Sequence, residues 1–180
     1  MGEIKSTLDL VMERTGHLSM SAEEKEAKRR EDFLKRLQGL LQQYLDEGQT
    51  AERLLEHVAA LRKEMDLADD HLPALAVLGR IDPDQKNDRW FELLEHLAPG
   101  ACNALRDLLE QYRQKRSHHL QAARKAARES LAREQGITGS AVAPNPLKNA
   151  ACLNALAALR DETRTAIETL AGRISQTAPG

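Results

Sequence analysis

From about Ala101 to Gln135 the chain runs without a glycine or a proline. Leu, Ala, Arg, Lys, Glu and Gln fill most of that stretch, and all of them enter a helix at little cost. At 1.5 Å per residue it forms a helix roughly 50 Å long. Gly136 to Asn145, with Gly139 and Pro144, reads as a loop. Asn145 and Pro146 then restart a helix that continues to about Gln176. Two long helices on a short loop specify an antiparallel hairpin over residues 101–176. Ala123, Ala126, Ala127, Ala150, Ala151 and Ala155 are small enough to let the two helices approach closely.

The rest of the chain supports the same class. Ser6 caps a short opening helix with Ile4, Leu8, Val11 and Met12 on one side, and Gly16 stops it. Ser21 with Glu24 is a second capping box, opening a helix to about Glu47 that Gly48 ends. Its first turns, Glu23 to Asp32, are nearly all charged; the apolar stripe starts at Phe33 and continues through Leu37, Leu41 and Tyr44. Thr50 caps a helix carrying Leu54, Val58, Leu61 and Met65. Pro73 suits the first turn of a short helix ending before Gly79. Asp82 and Pro83 are expected to open another, carrying Trp90, Phe91, Leu94 and Leu97, which Pro99-Gly100 breaks. Val and Ile are scarce, so strands lack their usual residues. The expected fold is all-α, with about six or seven helices. Residues 1–20 form a short N-terminal helical segment, and 21–180 a helical domain including the hairpin.

The net charge of -2 hides an asymmetry. Residues 1–100 hold 14 Lys and Arg against 21 Asp and Glu, a net of -7, whereas 101–180 hold 12 against 7, a net of +5. Either one half folds onto the other or the two surfaces meet different partners. Cys102 and Cys152 lie fifty positions apart, with neither metal-ligand spacing nor a disulfide framework. No stretch is apolar over the length needed to span a bilayer, and the acidic opening is unlike a secretory signal. The expected location is the cytoplasm, with no membrane partner.

The opening Gly2-Glu3-Ile4-Lys5-Ser6-Thr7-Leu8-Asp9-Leu10-Val11-Met12-Glu13-Arg14-Thr15, continuing through Leu18 to Glu24 and Lys25, resembles the start of a family of small uncharacterised bacterial helical proteins. The resemblance covers about the first 25 residues. It implies a helical protein and brings no activity or site residue with it.

Candidate chemistry is thin. The residues three positions before His17, His57, His71, His96, His118 and His119 are not acids, so the Glu-x-x-His pairs of di-iron bundles are missing. Glu13/His17 and Glu92/His96, four apart, read as solvated helix partners. Asp82-Pro83-Asp84-Gln85-Lys86-Asn87-Asp88 has some of the spacing of a calcium loop. It puts Lys86 at the fifth position, Asn87 at the sixth where glycine is required, and Leu93 at the twelfth. It reads better as a helix start, with Asp82 as the cap. Gly136-Ile137-Thr138-Gly139 joins helices and is no phosphate loop, and Ser140 lies in no nucleophile elbow.

Two surfaces stand out. Ile4, Leu8, Val11 and Met12 form a stripe suited to a partner's groove or to the protein's own core. Arg106, Arg113, Arg124 and Arg128 fall within about 60° of one another at 100° per residue, beside Lys115, Arg116, Lys125 and Arg133. Such a stripe can track phosphates. Equally it can be a solvated rim, or pair with the acidic half. It carries no aromatic side chain to stack a base. The sequence therefore leads to a non-catalytic interaction or assembly protein, a homo-oligomer or one with a helical protein partner, and with no metal or cofactor. Nucleic-acid binding along Arg106–Arg133 is the alternative.

Overall fold

The computed structural model describes residues 21–67 and 69–176. The stripe of Ile4, Leu8, Val11 and Met12, the pair Glu13/His17 and most of the resemblance to a known family lie outside them. Among the described residues there are six α-helices, one 3-10 turn and no strand, so the chain is all-α. Residues through Asp69 form one compact unit and those from Asp70 another, although neither proline nor glycine marks the boundary.

The first unit contains α1 (Ala22–Asp46) and α2 (Ala51–Glu64). The Ser21 hydroxyl accepts from the Glu24 N–H at 3.1 Å while the Glu24 carboxylate accepts from the Ser21 N–H at 2.7 Å, so the predicted capping box forms. Phe33, Leu37, Leu41 and Tyr44 are buried on α1, and Ala51, Leu54, Val58 and Leu61 on α2. None of residues 21–32 is buried. Ion pairs Arg29–Asp66, Arg30–Asp69 and Arg36–Glu64 run from α1 to the end of α2 and beyond it; each is solvated and contributes little.

The second unit contains α3 (Leu72–Leu78), α4 (Asp88–Leu97), α5 (Pro99–Gln135), a 3-10 turn (Pro146–Lys148) and α6 (Ala150–Gln176). α3 packs on α4 and α6, α4 on α5, and α5 along α6. Leu97, Ala98 and Ala101 border one hollow together with Leu170, Arg173 and Ile174. Further along α5, Leu108, Tyr112 and Lys115 border another with Leu159, Glu162 and Thr163. Arg128 reaches the loop carbonyl of Val142. Numbers rise along α5 as they fall along its neighbour, which is the direction of an antiparallel pair.

Several helix boundaries differ from the sequence expectation. α4 starts at Asp88, not at Asp82, for reasons given below. Pro99-Gly100 does not interrupt the chain for long: Ala98 alone turns the corner, and Pro99 takes the first turn of α5, where a missing N–H costs nothing. Asn145 caps only the short 3-10 turn. The Asn149 side chain accepts from the Cys152 N–H at 3.1 Å, and α6 starts at Ala150. Gly136, at φ 64, ends α5 in the left-handed conformation that glycine adopts without strain. Of the six alanines expected between the two helices, Ala126, Ala150 and Ala151 are exposed.

Candidate functional site

The segment from Asp82 to Asn87 folds as a closed loop because two side chains satisfy its backbone from inside. Asp82 accepts from the Asp84 N–H at 3.0 Å, a turn that aspartate forms with its own backbone. Asn87, only 3% exposed, donates to the carbonyls of Asp82 and Gln85 at 2.8 and 3.1 Å and accepts from the Asp82 N–H at 3.2 Å. Asp82 caps a local turn and not a helix: Asn87 closes the segment by bonding to Asp82 and Gln85, and α4 begins six residues later than Asp82, at Asp88.

This loop holds two carboxylates against the hairpin. The Tyr112 hydroxyl donates to Asp84 Oδ1 at 2.6 Å. Arg116 Nε lies 3.3 Å from the same oxygen. Arg160, on α6, brings Nη2 to 3.2 Å from Asp82 Oδ2 and Nε to 3.6 Å from Asp84 Oδ2. A loop and two helices are thus tied by two acids, two guanidiniums and a phenol. Burial, then the hydrogen bond and charge of Asp84, push the Tyr112 phenol up to about 12, with Arg116 and Arg160 acting in the opposite direction.

Beside this cluster a groove of about 400 Å³ opens between the loop and α5. Pro83, Lys86, Arg113, Arg116, Ser117 and Leu120 contribute to its lining. The sequence places Arg113 and Arg116 in the basic stripe and Pro83 and Lys86 at a helix start, and does not bring the two segments together. One signal was there: Ala101, Cys102, Leu105, Leu109 and Tyr112 form the buried stripe of α5, and the next position in that series, four beyond Tyr112, is occupied by Arg116. A charge on an apolar stripe calls for a carboxylate partner, and Asp84 supplies it.

The predicted arginine stripe divides into parts. Arg106 pairs with Glu95 and lies 4.9 Å over the Phe91 ring. Arg113 lies 3.7 Å from Glu110. Arg128 donates through Nε and Nη2 to the Val142 carbonyl at 3.2 and 2.9 Å, pinning the loop after α5. Arg124 has no carboxylate within ion-pair distance among the described residues, nor do Lys125, Arg133 and Lys148. The stripe is therefore neutralised near the core and uncompensated at the far end.

That far end is also apolar. Among the described residues the exposed large hydrophobic ones are Leu45, Ile137, Leu147 and Leu153, and the last three fall where α5 gives way to α6. Residues 117–159 carry five Lys and Arg against two Asp and Glu, a net of +3, which leaves -5 for the rest of the chain. Glu92 and His96 are both exposed on α4. Among the described residues no group of three or more His, Cys, Asp and Glu could hold a metal ion, and no helix is long and apolar enough to cross a membrane.

No family model, no curated protein and no solved structure matches the chain.

Proposed function

We propose that this is a non-catalytic helical interaction protein that assembles with further copies of itself through the end of its hairpin. The observation that carries the reading is that Ile137, Leu147 and Leu153 are exposed in the segment that joins α5 to α6 and opens α6, and that Arg124, Lys125, Arg133 and Lys148 of the same part of the chain have no carboxylate partner among the described residues. Apolar side chains left in water favour burial. The cations of the same part of the chain oppose a symmetric contact of one hairpin end with another. They favour a head-to-tail contact of the end, net +3 over residues 117–159, with the remainder of a second copy, net -5. Cys102 and Cys152 are both free and buried thiols, which suits a reducing compartment such as the cytoplasm.

Static light scattering over a dilution series tests this. The expected result is a mass of two or more 20.1 kDa chains that falls on dilution and falls further in high salt. A mass of one chain at every concentration overturns it. The uncompensated cations also favour a second reading, in which the same end contacts nucleic-acid phosphates. A labelled duplex separates the two: under the first reading its anisotropy stays constant as protein is added; under the second it rises, with strong salt dependence.

A further inference from the structure

The groove between the Asp82–Asn87 loop and α5 lies apart from the hairpin end, and its chemistry is different. Lys86, Arg113 and Arg116 bring three cations to its lining, and Asp84 brings one carboxylate. That carboxylate is already engaged by the Tyr112 hydroxyl, Arg116 and Arg160. Arg116 is held through Nε alone, so its remaining N–H donors are uncommitted among the described residues. Among the described residues Arg113 is held only by Glu110, three positions away on its own helix. Lys86 has no partner among the described residues. Ser117 adds a hydroxyl, and Pro83 and Leu120 give apolar wall.

We propose that this groove binds a small phosphomonoester. The lining sums to a charge of +2, which a phosphate dianion neutralises and a single carboxylate does not. Two guanidiniums and an ammonium converge from a helix and a loop, the arrangement that offers planar donors to several oxygens of one phosphate. The volume, about 400 Å³, falls in the range of small-ligand sites. Pro83 and Leu120 accommodate a compact organic group attached to the phosphate. Asp84 and Tyr112 also line the groove and are positioning residues: Asp84 holds Arg116 through Nε, and the Tyr112 hydroxyl holds Asp84.

Phenyl phosphate and inorganic phosphate are the probes, read by NMR amide shifts and calorimetry on the full chain. The expected result is saturable binding of one phenyl phosphate per chain, tighter than inorganic phosphate, with shifts centred on Lys86, Arg113, Arg116 and Ser117. The double variant Lys86→Gln with Arg113→Gln leaves the Asp84 contacts intact. It is expected to keep the wild-type melting temperature and to lose affinity by about tenfold or more, one charge-assisted contact alone being worth about that much. Non-saturable shifts, shifts spread equally over Arg124 to Arg133, or wild-type affinity in the double variant overturn the proposal. None of these outcomes bears on assembly through the hairpin end.

Discussion

The two halves of α5 are made of similar helix-forming residues and do different things. Up to Tyr112 the helix buries Ala101, Cys102, Leu105, Leu109 and Tyr112. From Arg113 to Gln135 it buries nothing. The first half is anchored by α4 and α6, and its Arg106 and Glu110 are paired. The second half pairs Lys115 with Glu162 and Arg116 with Asp84 near its start, and leaves Arg124, Lys125 and Arg133 without a carboxylate partner among the described residues. Helix propensity carries the backbone through both halves, but only tertiary burial makes a helix resist opening. A continuous helix is therefore no measure of continuous stability.

The largest expected difference between the halves is in packing. Leu105, 0% exposed, sits among the fully buried side chains; Leu105→Ala should cost about 2–5 kcal/mol through lost transfer energy and a cavity. Leu131, only half-buried, should cost about 1 kcal/mol or less on the same change. Denaturant melts of the two variants measure this, and equal losses would break the comparison.

The junction between the halves gives the next effect. Asp84→Ala removes the acceptor of the buried Tyr112 hydroxyl and the carboxylate facing Arg116 and Arg160. A buried donor left unsatisfied costs about 1–3 kcal/mol, and the double variant with Tyr112→Phe should recover part of that loss. If the two changes simply add, the hydrogen bond is not coupled to stability.

A smaller effect is expected in alkali. Tyr112 in the folded protein titrates near 12, above its ordinary value of 10.0. A folded-state pKa that is raised stabilises fully below the unfolded value and loses that stabilisation as pH climbs through the folded one. Stability from this group is thus flat at neutral pH and falls between pH 10 and about 12, by about 1.4 kcal/mol per unit. Ultraviolet titration should show a tyrosine ionising near pH 12 in the wild type, and Tyr112→Phe should lack that step. A wild type without any such late step would contradict the buried Tyr112–Asp84 contact.

How much of this the sequence displays follows from what its signals measure. The caps at Ser21 and Thr50 and the stripe from Phe33 to Tyr44 are local, and the structure contains them as expected. The length of α5 was legible too, because nothing in it stops a helix. The loop at Asp82–Asn87 was not, since Asp82 followed by Pro83 is an equally good helix start until Asn87 closes on it. The cluster of Asp82, Asp84, Tyr112, Arg116 and Arg160 spans separations of up to 78 residues, and no periodicity reports such a pairing. The arginine stripe was visible as a stripe. Its division into a paired part and a free part depends on Glu95 and on the Val142 carbonyl, which only the folded chain brings to it.

The exposed end of the hairpin is where the functional reading stands or falls. Sedimentation velocity on the wild type and on the triple variant Ile137→Ser, Leu147→Ser, Leu153→Ser tests it most directly, with a thermal melt of each. The expected result is a wild type heavier than one 20.1 kDa chain and a triple variant that sediments as a single chain at the same melting temperature. A wild type already at one chain, or a triple variant that assembles as the wild type does, would contradict it.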